Sequence, residues 1–419
     1  MHRATVCLPD KPSRAPALTT AGRVTKPDYR MGAIGSVHAG MVAIVNARGG
    51  RELFVVAADG RVVHFYPDAS SDTGFRAAET GLSGAAIAAG LDARGRIVLF
   101  AARGLQLAWV REQGMPGARW SAPAVCAVPM PPAAVAIDAV VASSVGGELL
   151  VAALVSARSA DGLLNHMSWC AWPDDDDAPR MQRSPFATNA RHCAWTGAGM
   201  EDAAFTAIDH GILDYRVAFD RARRREIAPF TAIDVAGALD ANGHDQVVAI
   251  LQDGRVYRLA AEGANRCAWR PLAFDVACMQ VGLGRDAAGA LHVFALGVDH
   301  RLWRLAPAPG SPDGYAEPSL LLTNVLRFGV AKGQGDLDLF VVVGHGTGAG
   351  RPEQGECGSG YGEDGGDGDG QAAGGDSLES IRRRIRCKTR EATALAQVAW
   401  LAWFHPGRML EPLGYIVPA

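Results

Sequence analysis

The sequence predicts an all-β fold, a β-propeller of seven four-stranded antiparallel blades. Three observations carry this. A strand–turn–strand phrase repeats at a near-constant period, turns rich in Gly and Pro separate the copies, and helical spacing of apolar residues is missing across them.

The phrase is first met at Leu53–Tyr66, LFVVAADGRVVHFY, and returns at Leu339–Gly346 as LFVVVGHG. Between these stand Ile97–Val110, Leu149–Met167, Ala203–Val217, Val247–Leu259 and Leu291–Leu305. The turns fall at Gly60, Gly104, Gly162, Gly211, Gly254, His300 and Gly346, in steps of 44, 58, 49, 43, 46 and 46 residues, the long step being an insertion in the third copy. Apolar β-branched runs bounded by Asp-Gly-type turns are hairpins. Before each hairpin a short strand closes on a Gly-rich segment, as in IAAGLDARG (87–95) and MQVGLGRDAAG (279–289). After it comes a loop with an aromatic and Pro: RWSAP (119–123), AWRPL (268–272) or GYAEP (314–318). Inner strand, hairpin pair and outer strand give four strands per repeat, and sheets of four strands packed radially make a propeller. The first and last copies become neighbours where the ring closes, which removes exposed sheet edges.

The chain divides into an N-terminal extension (1–30), the propeller (31–346), a Gly/Asp-rich linker (347–376) and a C-terminal helix and tail (377–419). Asp376 with Glu379 makes a capping-box-like start, and His405-Pro406-Gly407 a stop. Leu378, Ile381, Ile385, Ala392, Leu395, Ala399 and Trp403 have helical spacing, and Arg382, Arg383, Arg384, Arg386, Lys388 and Arg390 crowd the first half. Such a basic amphipathic helix suits a membrane surface or a partner, while its apolar half is too short to span a bilayer. The seventh repeat breaks off at its turn, so the last blade is expected to be incomplete unless ATVCL (4–8) supplies a strand. The break has two readings: a native tail, or a change of reading frame.

Composition narrows the partners. Charged residues are 20% of the 419 and the net charge is −3, which gives no general attraction to nucleic acid or an anionic membrane. The eight Cys form no C-x-x-C pair or zinc spacing and read as buried thiols. The N-terminus lacks the apolar run of a secretory signal, and no stretch of about 20 apolar residues suggests a transmembrane segment. A cytoplasmic product, or one exported by a non-classical route, is expected. No cofactor, metal or catalytic set is indicated. GHGTGAG (344–350) is a repeat turn, SSDTG (70–74) an Asp-stabilised turn, DDDD (174–177) and GEDGGDGDG (362–370) solvated segments, and RARRRE (221–226) a charged hairpin loop.

The segment GRDAAGALHVFALGVDHRLWRLAPAPGSPDGYAEP resembles one repeat of the PLL-like seven-bladed lectin propellers, and GALDANGHDQVVAILQDGRVYRLAAEGANRCAWRPL and GLDARGRIVLFAARGLQLAWV are similar but more worn. The resemblance covers about residues 31–346 and implies non-catalytic carbohydrate binding, with glycans or glycoconjugates held between adjacent blades. The blade-end aromatics are partial: Trp120, Trp269 and Tyr315, with Phe75 in the first repeat. A subset of pockets is therefore expected to be intact.

Two columns follow the turn. One reads Val63, Leu107, Tyr257, Trp303 and the other His64, Ala108, Arg258, Arg304. Strand alternation sets them on opposite faces. The first reads as interblade core. The second reads as a solvated face, or as hydroxyl ligands beside Trp120 or Trp269. The candidate ligand-binding residues are thus Trp120, Trp269, Trp303, Tyr257, His64, Arg258 and Arg304. The alternative is a protein-interaction scaffold that has lost its sugar sites, and a propeller glycoside hydrolase ranks below both.

Overall fold

The structure, a computed structural model, describes residues 40–344 apart from short connecting segments, together with residues 399–404 and 411–416. It is an all-β propeller with four-stranded antiparallel blades. The described strands form seven such sheets, each built from four strands consecutive in the chain. The first six run from Met41–Val45 to Phe75–Ser83, Ala86–Leu91 to Ala124–Cys126, Ala134–Val145 to Gln182–Thr188, Cys193–Ala198 to Arg221–Ala228, Ala232–Leu239 to Cys267–Pro271, and Cys278–Arg285 to Ser319–Leu322. The seventh combines Val325–Val330 and Leu339–Gly344 with Ala399–Phe404 and Glu411–Ile416.

The recurring LFVV-type run is the second strand of each sheet. Ile97–Arg103 is buried at six successive positions and Leu291–Gly297 along its whole length. Both faces pack on neighbouring sheets, so the strand is buried along its length rather than alternating with solvent. The outermost strand Phe75–Ser83 alternates toward solvent instead. Phe54, Phe100, Phe294 and Phe340 recur in the second strands of four sheets and rank among the largest fully buried side chains.

Innermost strands pack side by side in chain order, and Met41–Val45 also lies against Val325–Val330 of the seventh sheet. There the two ends share one core, in which Met41, Leu53 and Phe65 meet Phe340 and Val342. Phe75 meets Phe340 edge-on at 6.0 Å, and Arg51 pairs with the fully buried Asp338.

Two devices tie sheet to sheet. The turn carbonyls of Gly60, Gly104, Gly254 and His300 accept the N–H of Gly84, Ile137, Cys278 and Val325, each near the start of the next sheet. These turns need a left-handed backbone, met by Gly60 (φ 85°) and Gly254 (φ 78°) and, without a glycine, by His300 (φ 62°). His300 offsets that strain through Nδ1, 3.0 Å from the Val325 carbonyl. In addition, Asp234 Oδ2 accepts the Val281 N–H at 2.8 Å, and the Gln280 amide brackets Phe328, donating to its carbonyl (2.7 Å) and accepting its N–H (3.2 Å).

The structure corrects the sequence reading in several places. The expected helix does not extend through its last turn: Ala399–Phe404 is a strand that pairs with Leu339–Gly344, with Gly344 opposite Ala399. Glu411–Ile416 then pairs with Ala399–Phe404, so the seventh sheet has all four strands and is not truncated. The repeat simply resumes at residue 399. The insertion in the third copy lengthens its hairpin strands to 12 and 11 residues, with Ser159 opposite Gly162. RARRRE belongs to the strand Arg221–Ala228, not to a loop. The ATVCL segment, DDDD, GEDGGDGDG and most of the expected linker and helix lie outside the described residues.

Three outcomes follow. A chain ending at residue 398 lacks half of the seventh sheet and is expected to lose the cooperative thermal transition of the full chain by circular dichroism. Replacing residues 345–398 with a two-residue Asn-Gly turn should preserve that transition, because Gly344 and Ala399 already face each other. Gln280→Ala leaves both Phe328 backbone groups without the amide and should cost about 1–3 kcal/mol in urea titration.

Candidate functional site

The site begins with turn chemistry. Where the innermost strand passes to the second, Asn46, Asp92 and Asp286 fold over the turn. Asn46 Oδ1 accepts the N–H of Arg48 (2.9 Å) and Gly50 (2.8 Å), Asp92 Oδ1 those of Arg94 (3.0 Å) and Arg96 (2.9 Å), and Asp286 Oδ1 that of Ala290 (2.8 Å).

Six residues further on, a polar side chain of the second strand bonds back to this turn residue. Asn46 Nδ2 donates to Glu52 Oε1 (2.5 Å), Gln246 Nε2 donates to Asp240 Oδ2 (3.0 Å), and His292 Nε2 lies 3.0 Å from Asp286 Oδ2. Twelve residues beyond that stands the polar column of the third strand: His64, Arg258 and Arg304. In the first sheet the chain of contacts is complete, with His64 Nε2 2.6 Å from Glu52 Oε2. In the sixth it is complete too, with Arg304 Nε donating to His292 Nδ1 at 3.1 Å. In the fifth it stops. Among the described residues Arg258 Nε is buried with no hydrogen-bond partner and Arg258 makes no ion pair, its guanidinium being hydrogen-bonded to Tyr315.

Registers decide which face each candidate occupies. Phe54 is opposite His64, Val248 opposite Arg258 and Phe294 opposite Arg304; this column faces the next sheet. Ala249 is opposite Tyr257 and Ala295 opposite Trp303; this one faces the preceding sheet. The second-sheet hairpin is one residue shorter, with Arg103 opposite Gln106. Ala108 therefore belongs to the first column, and Trp109, opposite Phe100, takes the place assigned to Ala108. The solvated reading of the second column is also corrected: His64 and Trp109 are 1% and 7% exposed, because the next sheet covers that face.

The candidate residues thus fall at four junctions. Between the first and second sheets His64 stacks on Phe54 (4.5 Å) and meets Trp120 edge-on (5.2 Å), closing the position. Between the fifth and sixth, Arg258 lies over the ring of Tyr315 at 5.2 Å, and Val248 shares a core cluster with Trp303 and Tyr315. Gly314, with φ 73°, runs alongside the guanidinium. Trp269 is not beside Arg258. It pairs with Leu259 and packs with Ala249 and Leu259 on the opposite face, the face of Tyr257. Arg304 faces the seventh sheet. Indole Nε1 of Trp120 and of Trp303 are buried without partners.

Electrostatics follow burial. The Tyr315 phenol is pushed up by burial, with the Arg258 charge pulling the other way. Burial lowers His292 below its ordinary 6.5, against the Asp286 hydrogen bond and with the help of Arg304. Asp286 ends below its ordinary value, because burial, which would raise it, is outweighed by its bonds from His292 and the Ala290 N–H. The thiols of Cys126, Cys170 and Cys278 are buried, and burial pushes each up to about 12, so they stay protonated. Among the described residues no cluster of His, Cys, Asp and Glu could hold a metal, and no helix is long and apolar enough to cross a membrane.

The polar column Glu52/Gln246/His292 escaped the sequence reading. Its signal was present, since each member stands six residues after an Asn or Asp in equivalent repeats.

No protein-family model matches the chain, and no curated protein matches its sequence. Similar solved structures include BBS1N in complex with ARL6DN, at 10% identity over 73% of this chain and 89% of that one (TM-score 0.48). SapL1 lectin in complex with alpha methyl fucoside is 14% identical over 69% and 99% (TM-score 0.44). The Aleuria aurantia lectin in complex with Fucalpha1-6GlcNAc is 11% identical over 68% and 96% (TM-score 0.43).

The depressed His292 has a consequence for stability. The unfolded chain binds that proton more readily than the native one, so stability present above the ordinary pKa of 6.5 is lost as pH falls through it toward the lower native value. Urea midpoints taken from about pH 8 to about pH 5 should decline, and His292→Gln should flatten that decline.

Proposed function

We propose that the seven sheets are the blades of one closed ring, and that the protein is a non-catalytic, PLL-like carbohydrate-binding propeller with its pockets between blades. The observation that carries this reading is the fifth–sixth junction. A pyranose presents an apolar face to aromatic surface while polar groups fix its hydroxyls. Trp303 and Tyr315 supply the aromatic surface from one blade and Arg258 the polar group from the other, all three only partly buried. The first–second junction has the same layout, but His64, Glu52 and Trp120 fill it with their own contacts. One open junction and one closed junction on the same frame fit a lectin whose repeats have diverged.

A second reading, a protein-interaction propeller, has its own support on the second and third sheets. Leu105, Val125, Met130 and Val135 are 44%, 56%, 39% and 43% exposed. Val125 also borders a cleft of about 270 Å³, with Leu82, Pro123, Ser83, Arg103 and Gln106 around it.

A glycan-array screen of the full chain separates the two. Saturable binding that Tyr315→Ala weakens about tenfold or more, and that His64→Ala leaves nearly unchanged, is the expected result. A chain shown to be folded and β-rich that binds no glycan removes the lectin reading and leaves protein interaction.

A further inference from the structure

We infer that the junction between the fifth and sixth sheets binds an anionic sugar, one carrying a carboxylate or sulfate, through Arg258. The inference rests on the carbohydrate-binding reading and names the ligand class of that same site.

The chain contains its own template. In the first sheet Asn46, Glu52 and His64 stand at three fixed steps, and the basic member is met by the Glu52 carboxylate, itself fully buried. In the sixth sheet Asp286, His292 and Arg304 occupy the same steps, and Arg304 Nε has His292 Nδ1 as acceptor. In the fifth sheet the steps hold Asp240, Gln246 and Arg258. Gln246 turns its amide to Asp240, and Arg258 Nε is left buried without an acceptor. A buried donor of a permanently charged group is costly to leave unmet.

The surroundings favour an anion from outside. Trp303 Nε1, from the facing sheet, is a second buried donor without a partner among the described residues. Tyr315 holds the guanidinium by cation–π contact and a side-chain hydrogen bond, and no described carboxylate pairs with Arg258. A ligand carboxylate or sulfate would take the role that Glu52 plays beside His64, while the sugar ring uses Trp303 and Tyr315.

The test is calorimetric titration of the full chain with three probes: a galacturonic acid trisaccharide, the neutral galactose trisaccharide, and galactose 6-sulfate. The anionic probes should bind about ten- to a hundredfold more tightly than the neutral one. Arg258→Gln should remove that preference. The double substitution Asp240→Asn with Gln246→Glu rebuilds the first-sheet arrangement, gives Arg258 an internal carboxylate and should abolish the preference while keeping the thermal transition. A preference between the carboxylate and sulfate probes identifies which group the site takes. Equal binding of neutral and anionic probes, unchanged by either variant, overturns the anionic inference and leaves carbohydrate binding standing. Binding of no glycan, neutral or anionic, on these probes or on the array overturns both.

Discussion

The innermost strand of every sheet has a hydrogen-bonded neighbour within its sheet on one side only, and its other edge must find partners elsewhere. Several repeated devices in this chain answer that constraint. Turn carbonyls reach forward to the next sheet's first N–H groups, and Asp234 and Gln280 send side chains onto the next innermost strand. Such bonds make each sheet depend on its successor. They also explain why the turn residues are so restricted: at Gly254 an added Cβ would come within 2.8 Å of the Ala277 Cβ.

Because sheets stand face to face, described second strands such as Ile97–Arg103 and Leu291–Gly297 have two buried faces. Apolar side chains meet that demand without further cost. Polar ones must be paired inside the junction, since an unpaired buried charge costs far more than a paired one returns. Asn46–Glu52–His64 and Asp286–His292–Arg304 are two solutions with different chemistry on one geometric frame. Arg258 is where the frame is kept and the internal pairing is not.

The same constraint governs the ends. The first sheet needs cover on its outer face, and the seventh supplies it through Phe340, Val342 and the buried Asp338 that meets Arg51. The second strand Leu339–Gly344 would itself lie at an open edge without Ala399–Phe404 beside it. The seventh sheet therefore draws on a segment far down the chain. Gly344 and Ala399 face each other at one hairpin end, a place where inserted length is tolerated because loop-closure entropy grows slowly.

The period, the hairpins and four strands per repeat were legible in the sequence because each depends on local spacing: apolar runs, turn glycines and aromatic-Pro loops. The amphipathic line Leu378 to Trp403 misled for the same reason. Ala399–Phe404 is a strand because Leu339–Gly344 offers it an unpaired edge, and no local pattern records that offer. The candidate residues were likewise found by type but not by partner. Arg258 and Trp269 looked adjacent in the repeat, yet strand alternation sends them to opposite junctions, and Arg258 instead meets Tyr315 from the following sheet. The sequence by itself determined the repeat, its turns and the residue types at each column. Only the tertiary structure decided which polar groups find partners, because those partners come from the neighbouring blade or from strands brought together by the hairpin. That left His64 enclosed and Arg258 Nε without an acceptor among the described residues.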